Sequence, residues 1–204
     1  MNDSFLSLEE NKRNAIINAG FKVFSHNSYK KSPMNEIATE AGISKSLLFY
    51  YFKNKKELYL FLVKYSASIT ADEFRKNKCY EQGNFFDVFY SVLKVKAELI
   101  RKYPDIALFE IRAYYQKELL VKNEVMEIID EYSLFEYQMQ FIKLDPDDFI
   151  SGLDLKMMYR NIYLAAEGYL YEKICMGTLD ADEIEKELGE MIDFWRSVYM
   201  RKGN

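Results

Sequence analysis

Apolar side chains along this chain recur at steps of three and four, without a convincing alternation at steps of two. Ile16, Ala19, Val23 and Phe24 fall at i, i+3, i+7 and i+8, which predicts an amphipathic helix over about 9–26. The pattern breaks at "HNSYKKSP". There Ser32 can cap the next helix, and Pro33 suits a first turn, where a missing N–H costs nothing. That helix is short, because Gly42 reads as its C′ residue. Ser44 can cap a third helix ending near Tyr51, and "NKKE" at 54–57 places Asn54 and Glu57 at capping-box spacing to open a fourth, reaching about 77. Two short helices around a tight turn at Ala41–Gly42–Ile43 read as a helix-turn-helix over about 33–52, with Ile37, Ala38, Ile43 and Leu48 as its small core.

Helical patterns continue over 84–102, 104–116, 119–143, 154–176 and 181–201, broken by "QGN", Pro104, "DPDD" and "GTLDAD". No repeat of 20–50 residues is visible. With 8 Gly and 3 Pro in 204 residues, breakers are too few for a loop-rich fold, and the expectation is an all-α chain. The last helix is the clearest, with Ile184, Leu188, Met191, Trp195 and Val198 at alternating steps of four and three. Helix 154–176 adds Leu155, Met158 and Ile162, with small residues that permit close helix approach.

One stretch departs from the usual logic of a core. "GISKSLLFYYFKNKKEL" sets Phe49, Tyr50, Tyr51 and Phe52 in a row between lysine and serine clusters. Phenols and lysines together suit a surface that meets phosphate oxygens and base edges, with the second short helix in a DNA major groove. The net charge of −4 hides a matching asymmetry. Residues 1–70 hold ten Lys and Arg against six Asp and Glu, a balance of +4, whereas residues 71–204 hold 18 against 26, a balance of −8. A basic surface on an acidic body fits a polyanionic partner.

With these residues in view, the chain resembles a known family. "NAGFKVFSHNSYKKSPMNEIATEAGISKSLLFYYFKNKKELY", residues 18–59, is similar to the DNA-binding domain of the tetracycline-repressor (TetR) family. The match rests on Phe24, Ile37–Ala38, Ala41 to Lys45, the aromatic run ending in Phe52, and Lys55 with Leu58. The resemblance implies a helix-turn-helix DNA-binding domain over 10–70 and a helical ligand-binding and dimerisation domain over 71–204. It implies a repressor-like homodimer on an inverted-repeat operator in double-stranded DNA, released by a small effector that the candidate lining below makes largely apolar or aromatic. The alternatives are a DNA-binding regulator with no small-molecule effector and a helical small-molecule binder or enzyme. The family's DNA-contact positions map onto Pro33, Met34, Ser44, Lys45, Ser46, Phe49, Tyr50, Tyr51 and Lys55. Pro33 and Phe49 depart from the family's usual threonine and tyrosine, and Ser32 is the candidate substitute for the missing hydroxyl at 33.

The aromatics, 16% of the chain, supply candidates for an effector site: Phe86, Phe89, Tyr90, Phe109, Tyr114, Phe135, Met139, Tyr163 and Tyr169. A dimer interface is expected from Leu155, Met158, Ile162, Ile184, Leu188, Met191, Trp195 and Val198, as a four-helix bundle between two subunits. Otherwise the stripe around Trp195 would be exposed in a lone chain.

Enzyme chemistry finds little support. His26 is the one imidazole, and no phosphate loop, nucleophile elbow or Cys/His metal pattern appears, so no cofactor or metal is expected. "DPDD" at 145–148 reads as a charged loop lacking the other ligands of a calcium site. Cys79 and Cys175, 96 positions apart, suit a reduced cytoplasmic protein. The longest apolar run, "LYLFLV" at 58–63, is far shorter than the roughly 18 residues of a membrane span.

Overall fold

The computed structural model describes residues 2–81, 83–142 and 144–201, with 133–142 described by their backbone alone. Its helices are α1 (Asp3–Leu6), α2 (Glu10–His26), α3 (Met34–Glu40), α4 (Lys45–Tyr51), α5 (Lys55–Lys76), α6 (Phe85–Lys102), α7 (Pro104–Tyr114), α8 (Lys122–Ile142), α9 (Leu155–Met176) and α10 (Ala181–Tyr199). Short 3-10 turns cover Tyr29–Lys31, Cys79–Glu81 and Pro146–Asp148. Among the described residues the extended pairing is an isolated bridge between Phe149 and Met200. The fold is all-α.

The chain forms two compact units that are not continuous in sequence. One takes in Met1–Thr70 and Tyr103–Ser133, the other Ala71–Lys102 and Leu134–Asn204.

In the first unit, α2 buries Ile16, Ile17, Phe21 and Phe24 together with Ile37, Leu48, Phe52, Leu58 and Leu62. The turn between α3 and α4 is closed by a Schellman pair. Ile43 N–H donates to Ala38 O at 3.0 Å and Gly42 N–H to Thr39 O at 3.1 Å. Gly42 sits at φ +68°, and a Cβ there would meet nothing within 4 Å, so its requirement is conformational and not steric. Gly42→Ala is therefore expected to cost about 1–2 kcal/mol, the left-handed penalty. A urea titration should show a lowered midpoint with an unchanged slope, and an unchanged midpoint would refute the argument.

Two capping expectations hold, and one is corrected. Ser44 Oγ accepts the Leu47 N–H at 3.2 Å, and Asn54 Oδ1 accepts the Glu57 N–H at 2.9 Å. The return bond from Glu57 goes to the Lys53 N–H at 3.2 Å, one residue before the reciprocal capping-box position. Ser32, however, does not cap α3. Pro33 occupies the N-cap, and the buried Ser32 hydroxyl donates to Ser28 O at 3.0 Å. The sequence pattern also does not announce α1, whose Phe5 is fully buried in the same core.

The same unit includes α7. Its Phe109 ring lies 5.2 Å from Phe21, 6.2 Å from Phe24 and 5.2 Å from Tyr59, centroid to centroid. Asp105, in the first turn of α7, accepts a hydrogen bond from Ser25 near the end of α2.

In the second unit, α10 packs on α6. Ile184, Leu188, Ile192 and Trp195 share a buried cluster with Phe85, Phe86, Leu93, Phe149, Met158 and Ile162. Most of the Trp195 stripe is thus not exposed in a lone chain, since Trp195 is only 8% accessible and Ile184 and Leu188 are buried, although Val198 at its end stays exposed. An apolar stripe reports that a face is covered without naming its cover, and α6 supplies it here. Charge pairs reinforce these contacts: Arg101 bonds Asp182 and Glu185 at 2.6 Å each, and Lys173 bonds Glu183 and Glu187 at 3.0 Å each.

Candidate nucleic-acid interface

The start and outer side of α4 carry a dense set of exposed groups: Ser44, Lys45, Ser46, Leu47, Phe49 and Tyr50. A seven-residue helix makes just under two turns, so the buried side is set by few residues, here Leu48 and Tyr51. Ser44 and Ser46 hydroxyls lie 3.2 Å apart at the helix start. Lys45 Nζ stands 5.9 Å from the centre of the Phe49 ring, one turn on, so the ring steadies the ammonium by a cation–π contact. Phe49 is 38% accessible and Tyr50 56%.

The remaining candidates divide. Pro33 is exposed, whereas Met34 is buried. Ser32 presents no hydroxyl to solvent. Tyr51 does not project outward with Tyr50: it is 8% accessible and packs edge-on against Phe5, 5.8 Å away. The reason is a partner that sequence periodicity does not reveal, the short helix α1. Phe52, which ends the aromatic run, is fully buried.

Lys55 is more committed than its position suggests. Its Nζ donates to Tyr29 O at 2.9 Å and Lys30 O at 3.4 Å, and stands 4.7 Å from the Tyr29 ring centre. Two of its three donors thus hold the turn that precedes α3. Partial burial lowers the Lys55 pKa below the usual lysine value, partly countered by the charge of Glu118. Two exposed lysines on that turn, Lys30 and Lys31, are further candidates that the sequence reading missed, although the "YKKSP" doublet signals them.

A Ser–Asp–His grouping in the first unit tests the enzyme alternative. Asp105 Oδ1 accepts from Ser25 Oγ at 3.1 Å and lies 3.1 Å from His26 Nε2. His26 is the last residue of α2. A nucleophilic triad needs the imidazole between serine and carboxylate. Here the carboxylate stands between them and Ser25 is fully buried, so the grouping ties α2 to α7. Among the described residues no group of three or more His, Cys, Asp or Glu could hold a metal.

The effector candidates do not all come together. Phe86 is fully buried, and Phe89, Tyr90 and Tyr169 pack partly buried around the same cluster of the second unit. Tyr163 is exposed, stacked 6.4 Å from Tyr159. Phe109, at 0% accessibility, and Tyr114 belong to the first unit. The side chains of Phe135 and Met139 lie outside those described. A shallow groove of about 350 Å³ on the second unit is lined by Tyr90, Gly189 and six charged residues, Arg101 and Asp182 among them.

Comparison with known proteins bears on the α2–α5 region first. Residues 16–61 match the family described as bacterial regulatory proteins, tetR family. The N-terminal domain is that of a tetR-family transcriptional regulator. The matched stretch runs from α2 through both helices of the helix-turn-helix into α5. The chain is 21% identical over 148 residues to the fatty acid metabolism regulator protein of Bacillus subtilis (strain 168), spanning 72% of this chain and 76% of that one. Two solved structures share the fold. One is a TetR family transcriptional regulator from Chloroflexus aurantiacus J-10-FL, with TM-score 0.70, 19% identity and coverage of 98% and 99% of the two chains. The other is the fatty acid degradation regulator FadR from Bacillus halodurans, with TM-score 0.71, 15% identity and coverage of 88% and 96%. The helix-turn-helix stretch is thus that of a DNA-binding regulatory protein. No helix among the described residues is long and apolar enough to cross a membrane.

Proposed function

We propose that this regulator is a homodimeric repressor that binds an inverted-repeat operator through α4 and releases it on binding a small, largely apolar or aromatic effector. The observation that carries the DNA reading is the exposed set Ser44, Lys45, Ser46, Leu47, Phe49 and Tyr50 on one short helix of the helix-turn-helix. Residues 71–204 supply effector binding and dimerisation in this reading. The buried aromatic cluster of the second unit, with Phe86, Phe89, Tyr90 and Tyr169, supports an apolar effector. The names of two similar proteins, both regulators of fatty acid use, point the same way and favour a fatty-acyl compound.

The experiment is a gel shift on the DNA upstream of the gene, titrated with fatty acids and acyl thioesters. Linkage requires that an effector which weakens operator binding a hundredfold be bound a hundredfold more weakly by the operator complex, a coupling of about 3 kcal/mol. Equal effector affinity with and without DNA would overturn the switch and leave a regulator controlled by its abundance.

Lys45 and the turn lysines should behave differently on DNA. Lys45→Ala should relax preference at one base pair, costing about 1–3 kcal/mol there, because its ammonium sits at the start of the groove-reading helix. Lys31→Ala should weaken binding to every sequence alike and shallow the salt slope by about one unit. Identical losses on all sequences for both variants would refute the division.

A further inference from the structure

We infer that the first turn of the chain sets the recognition helix: Asn2 closes the C-terminal end of α4, and Ser4 orients the Tyr50 phenol to donate to a DNA phosphate. This rests on the reading of α4 as the DNA-facing helix. A helix of seven residues has little stability of its own, and its last carbonyls have no partner within the helix. Two of them are met by Asn2, which comes long before α4 in the sequence. Asn2 N–H donates to Tyr51 O at 3.0 Å, and Asn2 Nδ2 donates to Tyr50 O at 3.4 Å.

The donor is itself held in place. Asn2 Oδ1 accepts the Ser4 N–H at 3.1 Å, which caps α1. Phe5 is fully buried, with ring centres of Tyr51, Phe52 and Phe61 at 5.8, 4.7 and 5.4 Å. Arg13 Nη1 donates to Leu6 O at 3.2 Å, tying the end of α1 to α2. The segment is thus anchored at both ends, and Ser4 is the side chain it directs at the exposed phenol of α4.

Ser4 Oγ lies 3.1 Å from the Tyr50 hydroxyl, which belongs to a residue that is 56% accessible. Phosphate oxygens only accept, so a phenol that bonds one must donate its proton. The Tyr50 oxygen then has lone pairs free to accept, and Ser4 supplies the proton. With the more exposed Tyr50 as the group that meets the phosphate, the order Ser4 to Tyr50 to phosphate uses both hydroxyls, and each bond polarises the next. Ser4 is a positioning residue: it acts on DNA through Tyr50.

The test is a double-mutant cycle on the full chain, with a fluorescent duplex from the gene's upstream DNA as probe. Ser4→Ala and Tyr50→Phe should each weaken binding about three- to tenfold, the scale of one hydrogen bond. The double variant should be no weaker than Tyr50→Phe alone, and Ser4→Thr, which keeps the hydroxyl, should restore affinity. The salt slope should stay unchanged in all of them, since no charge is removed. Phe5 is untouched in every variant, so α1 stays docked. Additive losses, or a silent Ser4→Ala beside a weakened Tyr50→Phe, would overturn the inference and leave α4 as the DNA face. Silence of Tyr50→Phe together with Lys45→Ala would overturn both.

Discussion

Phe109→Ala is expected to cost the N-terminal unit about 3–5 kcal/mol, the usual range for truncating a buried phenylalanine. The ring is fully buried and touches three aromatic neighbours on α2 and α5, so the cavity left behind has rigid walls that collapse poorly. The damage should extend beyond the ring. Tyr59 stands between Phe109 and Tyr29, with its ring 5.0 Å from Tyr29 and its hydroxyl accepting from Gln116 Nε2 at 3.3 Å. Burial pushes the Tyr59 phenol up to about 12, the mark of a dry cluster. Tyr29 in turn stacks with Phe24 and offers Lys55 its carbonyl. Loss of Phe109 therefore loosens the turn that leads into α3, and operator affinity should fall along with stability. Urea unfolding of Phe109→Ala and Phe109→Leu checks this, with the leucine variant losing less than half as much. A cost below about 1 kcal/mol for the alanine variant would mean that the ring is not part of this core.

Local chemistry is what the sequence makes legible in this chain. Ser44, Asn54, Gly42 and Pro104 act on their own neighbours within four residues, so the ends of α4, α5, α3 and α7 can be placed to within one or two positions. The aromatic run raises the right question because phenols beside lysines have few uses other than polyanion contact. The features that stay hidden depend on distant partners. The short helix α1 has one apolar anchor, Phe5, and no periodicity to announce it. Spacing sets Tyr51 on the Leu48 face of α4 and Tyr50 off it, but without α1 nothing shows what covers Tyr51. Phe109 reads as an apolar residue in a helix, and its segment reads as continuous with the C-terminal helices. That it packs on α2, far earlier in the chain, is tertiary information. The α10 stripe carries the same ambiguity, since the pattern reports a covered face and leaves open whether the cover is α6 or a second subunit.

Leu164→Glu is expected to dissociate the proposed dimer and lower operator affinity a hundredfold or more, while leaving the fold intact. With Ile184, Leu188 and Trp195 of the stripe packed inside the second unit, the proposed subunit interface falls to apolar residues that stay exposed. On α9 these include Met157, Leu164 and Tyr171, at i, i+7 and i+14, which puts them in one stripe along the helix. Gly168 sits between them with open space where its Cβ would be, which leaves room for a facing helix. Phe194 and Val198, one turn apart and exposed on α10, extend the apolar area and keep the expected α9 and α10 bundle with a different pair of faces. In a twofold interface Leu164 approaches its own symmetry copy, so the substitution sets two carboxylates against each other in a desolvated seam. A monomer can occupy only one half-site at a time and forfeits the gain of linked binding, about 10²–10⁴ in affinity. Leu164 is exposed in the single chain, so the thermal midpoint of the dissociated variant should reflect only the loss of association. Ile184→Glu gives the contrast: that residue is buried against its own subunit, and its replacement should unfold the second unit and not merely separate subunits. Light scattering and operator titration together decide the matter. A Leu164→Glu protein that remains dimeric with unchanged operator affinity would place the interface away from α9.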